Sequence, residues 1–292
     1  MSDWLAVGDE TGNWDELRNP GAFLGVALVM GRIEDWQAAL EEQVDDQRIQ
    51  DRLQAPPRRL PQAYRKSGQH HLLDTFIYWQ SQKLAGEWSL SAPGDDPLHQ
   101  EVFATLRWLA EHPRLITLGL WGRSVTLQAA LFGSEDSAMA LGRAYGLLAA
   151  LALPFLNPSD RLLAHPGLRS ESRYSIAQQR AKLPSSPETE EARQSGYARG
   201  TLSMIREEIQ RHGQMWRGGA VARFDVGTLD YLRNNSPALK TARLDNRLLN
   251  VIADLGAGLL RLTSQPGTRG VSLRRNDTWR NVVFHELPEI TA

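Results

Sequence analysis

Phe23-Leu24-Gly25-Val26-Ala27-Leu28-Val29-Met30 is a nearly continuous apolar run, closed by Gly31. Its length and its valines suit a buried strand. Ahead of it, Leu5-Ala6-Val7-Gly8-Asp9-Glu10 reads as a short strand that ends in a polar turn, Thr11-Gly12-Asn13. The two segments are expected to pair antiparallel, joined by a loop of moderate length. Ile33 to Arg52 follows as a helix, with Ile33, Trp36, Ala39, Leu40 and Val44 on one stripe.

The rest of the chain alternates in the same way. Thr75 to Leu84 and Leu98 to His112 read as helices, Leu115 to Trp121 as a strand, and Asp136 to Leu153 as a helix rich in small residues. The apolar stretch Leu147 to Leu156 is too short to span a bilayer and is stopped by Pro154 and Pro158, so it reads as a buried helix end. Leu202 to Arg211 is a further helix, Gly219 to Val226 a strand with an acid near its end, Leu244 to Leu262 the strongest late helix, and Val282-Val283-Phe284 a short strand. Residues 157–200 are rich in Ser, Pro, Arg and Glu and read as an inserted, partly mobile segment. The expected organisation is a single domain over 1–292 carrying that insertion.

Bulk numbers narrow the function classes. With 33 basic and 34 acidic residues the net charge is −1, so a protein that coats nucleic acid by electrostatics alone is disfavoured and any such binding needs a local patch. The chain has no cysteine, which excludes disulfides and thiolate metal sites and fits a reducing compartment. Met1 to Ala6 shows no basic region leading into a long apolar run, so the expected location is cytoplasmic. GxxxxGK[ST], HExxH and GxGxxG are missing, and Gly122-Arg123-Ser124-Val125-Thr126 lacks the second glycine of a nucleophile elbow. The nine tryptophans belong more often to a core than to a base-stacking platform, and Trp4, Trp36, Trp79 and Trp108 sit near apolar stripes.

The chemistry lies in misplaced acids. A charge buried in an apolar strand is costly unless it is paired or binds a cation. Asp9 follows four apolar or small residues; it either opens the turn that follows or stands as a site carboxylate, with Glu10 on the opposite face. Asp254 lies at the edge of the stripe formed by Leu248, Val251, Ile252, Leu255 and Leu259. Around it Ala253, Gly256, Ala257 and Gly258 are small enough for the helix to approach a sheet closely, although each glycine costs about 1 kcal/mol of helix stability against alanine. Asp225 is a turn acid or a carboxylate at a strand's mouth. His71 and Asp74 would share a helical face, and the His70-His71 pair alone is a weak zinc signal.

Asp9-Glu10-Thr11-Gly12-Asn13 followed by the strand Phe23 to Met30 resembles the opening of a prokaryotic and phage family of unknown function in the ribonuclease-H-like superfamily, whose members begin with a strand bearing Asp-Glu-Ser-Gly. His71-Leu72-Leu73-Asp74, Phe224-Asp225 and Ala253-Asp254-Leu255-Gly256-Ala257-Gly258 are similar to that family's later elements, in the same order. Thr11 replaces the usual Ser, and the strand Leu115 to Trp121 carries no acid. The resemblance implies an α/β fold, a ribonuclease-H-like mixed sheet flanked by helices with an inserted helical or irregular segment. It also implies an acidic cluster holding one or two Mg²⁺ or Mn²⁺ ions, of which two about 4 Å apart could cleave a DNA or RNA phosphodiester. In that reading Asp9 is the central ligand and Asp225 and Asp254 flank it. Asp74 is a fourth acid or sits just behind the ligands, and His71 contacts phosphate or water. The alternatives are a catalytically degenerate member that binds or assembles, with a protein partner or as a homodimer, and an unrelated hydrolase or transferase built on Ser124 or His71.

Overall fold

The computed structural model describes residues 2–12, 14, 21–45, 105–123, 137–166, 223–244, 246–264 and 279–287. It is a mixed α/β fold with a six-stranded sheet flanked by helices. The strands are β1 (Asp3–Thr11), β2 (Phe23–Arg32), β3 (Ile116–Arg123), β4 (Arg161–His165), β5 (Arg223–Val226) and β6 (Val282–Glu286), in the order β5-β4-β1-β2-β3-β6. β1, β2 and β3 form an antiparallel meander, with Val7 opposite Val29 and Val29 opposite Thr117. β4 adds parallel to β1, β5 parallel to β4, and β6 parallel to β3. Every residue of β2 except Arg32 is buried, as its unbroken apolar sequence requires of a strand covered on both faces.

The helices supply the two covers. On one side lie α1 (Ile33–Asp45), a helical segment at 105–111, α3 (Leu229–Asn235), α4 (Pro237–Thr241) and the long α5 (Asn246–Ser264). Leu248, Leu249, Val251, Ile252 and Leu255 of α5 pack there with Leu5 and Val7 of β1, Val29 of β2 and Trp36 of α1. On the other side α2 (Ser137–Ala152) puts Leu141, Ala144, Tyr145 and Leu148 against Trp4, Ala6, Leu28 and Leu118. Alternation along β1 therefore aims Leu5, Val7 and Asp9 at the α5 layer and Trp4, Ala6 and Glu10 at the α2 layer.

The strands expected at Leu5–Glu10, Phe23–Met30, Leu115–Trp121 and Val282–Phe284 are present, with ends shifted by a few residues, and so is Arg223–Val226 of the strand expected at Gly219–Val226, whose first four residues lie outside the described ones. So are the helices expected at Asp136–Leu153 and Leu244–Leu262, and the described parts, 33–45 and 105–111, of those expected at Ile33–Arg52 and Leu98–His112. Leu147 to Leu156 is the buried end of α2 and the turn after it. The segment 157–200 needs correction at its start. Arg161–His165 is not part of an insertion but a strand of the sheet, buried from Leu162 to His165, pairing with both β1 and β5. Its polar flanks disguised it, because five residues are too short to show a period against Arg161 and His165 at the ends. The helices read at Thr75–Leu84 and Leu202–Arg211 lie outside the described residues. No helix among the described residues is long and apolar enough to cross a membrane.

Candidate functional site

β1, β4 and β5 run parallel, so their carboxyl ends open on the same edge of the sheet. That edge is where open α/β sheets place their ligands, because loops rather than strands surround it. Asp9 stands near the end of β1 on the α5 side, partly buried. Gly8 before it is required by packing: a Cβ there would lie 2.5 Å from Leu28 Cδ2 and 2.8 Å from the Ala27 carbonyl oxygen. Gly12 ends the strand at φ 88°, a conformation that glycine adopts without steric cost.

Asp254 reaches Asp9 from α5, and the two side chains are hydrogen-bonded to each other. Two charged carboxylates in contact repel each other, and a proton on one of them relieves that repulsion. Burial pushes the Asp9 carboxyl well above the usual carboxylate range, and the charges of Glu10 and Asp254 and the bond to Asp254 push the same way. The Glu10 backbone N–H, which donates to Asp9 Oδ1 at 2.9 Å, opposes them. Asp254 can stand this close because α5 lies tight on the sheet. A Cβ on Gly256 would be 2.8 Å from Val29 Cγ2.

A buried histidine absent from the sequence expectations lies on the neighbouring strand, level with Val7. His165 ends β4 opposite Val7 and is 2% exposed. Its Nδ1 lies 3.1 Å from the Gly227 carbonyl oxygen. A carbonyl only accepts, so Nδ1 carries the proton. Burial lowers the ring's pKa; the Gly227 carbonyl, the Asn250 side chain and the charge of Asp230 pull it back up without overcoming burial. Burial thus favours the neutral ring. Asn250 is one helical turn before Asp254 on the same flank of α5, and Asn246 is one turn earlier, with its Nδ2 donating to Asp230 Oδ1 at 3.2 Å. The signal was present as Asn-x3-Asn-x3-Asp, Asn246 to Asp254, three polar groups at helical spacing beside an apolar stripe.

Asp225 does not join this group. Its carboxylate is held by Arg161, with Nε donating at 2.6 Å and a second guanidinium nitrogen closing the pair. Asp225 is level with Leu163, and Leu163 with Leu5. Two strand spacings across and four residues along separate its backbone from that of Asp9, about 16 Å. Carboxylates so placed cannot ligate one pair of ions about 4 Å apart. Its side pointing is right and its height is wrong, which an alignment of short motifs does not reveal. His71, Asp74 and Ser124 lie outside the described residues.

Among the described residues no group of three His, Asp or Glu side chains is placed to hold a metal. A pair still fits one: Mg²⁺ is commonly held through one or two carboxylates, keeping waters and substrate phosphates as its other ligands. Comparison of the chain with protein-family profiles, with characterised proteins and with solved structures finds no match.

Proposed function

We propose that the edge formed by Asp9 and Asp254 is the active site of a divalent-cation-dependent hydrolase of nucleic-acid phosphodiesters, built on a ribonuclease-H-like sheet. The observation that carries the reading is the meeting of Asp9 and Asp254 at the carboxyl end of a central strand, from positions 245 residues apart, Asp9 at the tip of an apolar strand and Asp254 between Ala253 and Leu255. A packed core gains nothing from two acids in contact; sharing a proton only limits the cost. A cation relieves that cost directly.

Asp9 and Asp254 would hold Mg²⁺ or Mn²⁺, which would supply a Lewis acid for a phosphoryl oxygen and its bound water. The chain's own contribution is orientation. The Glu10 backbone N–H fixes one Asp9 oxygen. The close seat of α5 on Val29 fixes the depth of Asp254. Loss of the shared proton leaves both carboxylates as oxygen ligands, so cation binding should release a proton.

The test is a calorimetric Mn²⁺ titration of the full chain and of Asp9→Asn, with cleavage of single- and double-stranded DNA and RNA followed in parallel. The expected result is a Mn²⁺ site and a Mn²⁺-dependent cleavage, both lost in Asp9→Asn. Cleavage by Asp9→Asn at the wild-type rate overturns the proposal. A second reading, a catalytically silent binding module on the same fold, is favoured by the engagement of Asp225 with Arg161. It is selected if the wild-type chain binds nucleic acid without cleaving it and without binding Mn²⁺.

A further inference from the structure

Between Leu248 and Leu262 every residue of α5 is buried except Asn250, Asp254, Gly258 and Arg261. Their spacing of four, four and three is that of one helical stripe, so this part of α5 reaches solvent along a single line that carries Asp254. Arg261 lies two turns beyond Asp254 on that line, about 10 Å along the helix axis. A basic residue in the last turn suits the helix dipole on any flank. The flank it occupies here is the one that leads from the acid pair.

The last turns of α5 rest on the carboxyl edge of the sheet. Leu260 fills the space above two glycines: a Cβ on Gly25 would lie 3.0 Å from its Cδ2, and one on Gly119 2.7 Å from its Cδ1. β3 runs in the same direction as β1, so Arg123 at its end reaches the same edge. Alternation from Thr117, which is level with Val29, puts Arg123 on the α5 side of the sheet. Its Nη1 donates to the Gly21 carbonyl at 3.0 Å, and a guanidinium has further N–H groups to offer. Asp9 is level with Ala27 and Ala27 with Gly119, so the backbone of Arg123 stands two strand spacings across and four residues along from that of Asp9, about 16 Å.

The opposite edge differs. There Arg32 lies over the Trp4 ring at 5.7 Å, and Arg161 is held by Asp225. With a net charge of −1 the chain attracts a polyanion only through a local patch, and the partly exposed Arg123 and Arg261 supply one beside the acid pair. Glu286 of β6, level with Trp121, bounds it on the outer side.

We propose that Arg261 and Arg123 are the phosphate contacts of this site. A single nucleic-acid strand crosses the carboxyl edge from Asp9 and Asp254, past the end of α5, to the end of β3, and the two guanidinium groups hold its backbone. The inference rests on the reading of Asp9 and Asp254 as the site. At the rise of about 3.4 Å per nucleotide of a stacked strand, both arginines stand several nucleotides from the pair. Contacts of this kind fix the position of a strand without reading its sequence.

The test is binding of a fluorescein-labelled single-stranded DNA of about 16 nucleotides to the full chain, followed by anisotropy in chelator between about 50 and 200 mM salt, so that neither a cation nor cleavage enters. Arg261→Gln and Arg123→Gln are each expected to reduce the magnitude of the slope of log K against log salt by about 0.7, and the double variant by about 1.4, the value for phosphate contacts on a single strand. Arg114→Gln, at an exposed cation of the opposite edge, is expected to keep the wild-type slope. Arg261→Lys and Arg123→Lys retain the charge and should retain the slope. A role confined to packing moves the unfolding midpoint and leaves the slope in place. A wild-type slope in either glutamine variant, or an equal drop in Arg114→Gln, overturns the inference, and so does a wild-type chain that binds no DNA. The expected slopes without Mn²⁺-dependent cleavage remove the hydrolase reading alone and leave the phosphate contacts standing.

Discussion

Replacing Gly256 by alanine sets two known effects against each other at the point where α5 meets β2. Helix propensity favours the change by about 1 kcal/mol. Packing opposes it. The new methyl would lie 2.8 Å from Val29 Cγ2, with Ala27 Cβ at 3.9 Å and Thr117 Cγ2 at 4.0 Å. Optimal carbon contacts are about 3.5–4.0 Å, so only the Val29 contact is too close, by about 1 Å. Val29 has no exposed surface, and a β-branched side chain has little freedom at χ1. Relief must come from lifting a 19-residue helix off the sheet or turning Val29 into its neighbours. Overpacking of this kind costs about 1–3 kcal/mol, and the rigidity on both sides places it in the upper half. The expected net loss is about 1–2 kcal/mol, which at a urea slope of about 3 kcal/mol/M lowers the unfolding midpoint by about 0.5 M. Urea unfolding followed by tryptophan fluorescence measures it. Because a lifted helix carries Asp254 with it, Mn²⁺ affinity should fall as well. A midpoint that rises by the amount propensity alone predicts would refute the close seat of α5, and with it the explanation of how Asp254 reaches Asp9.

Asp9→Asn should stabilise the protein increasingly as pH rises. The folded state holds the Asp9 carboxyl pKa above its unfolded value, so the stability gained from the neutral form is present in acid and is lost as pH climbs through the folded pKa; urea midpoints of variant and wild type at pH 5 and pH 8 should diverge at the higher pH. Asp160 behaves oppositely. Burial disfavours its charge, but the N–H groups of Asn157 and Ser2, the Asn157 amide and Trp4 Nε1 outweigh that and leave the pKa lowered, so its contribution is present at neutral pH and is lost as pH falls through the folded value. Asp160→Ala strands the buried Trp4 N–H and should cost about 2–4 kcal/mol at pH 7 by chemical denaturation. Asp225→Ala should leave Mn²⁺ affinity unchanged and cost at most about 1 kcal/mol, because the Arg161 pair it breaks is partly solvated. A large loss of Mn²⁺ affinity in that variant would return Asp225 to the site.

The sequence by itself determined the secondary elements that rest on long patterns. The unbroken apolar run of β2, the acid-tipped β1 and the amphipathic α5 were legible because each displays its period over enough residues to exceed chance. Asp254 was legible as an oddity because a charge is conspicuous where its neighbours are apolar, and Asp9 as the acid at the tip of an apolar strand. Only the tertiary structure decided which of the acids meet. Strand register, a property of pairing between distant segments, sets Asp225 level with Leu5 rather than with Asp9 and gives it to Arg161. It likewise sets His165 beside Val7, from a strand too short to announce itself. Local pattern records which face of an element is buried; it holds no information on how far one strand has slid along its neighbour, and that offset is what places one aspartate at the site and removes another from it.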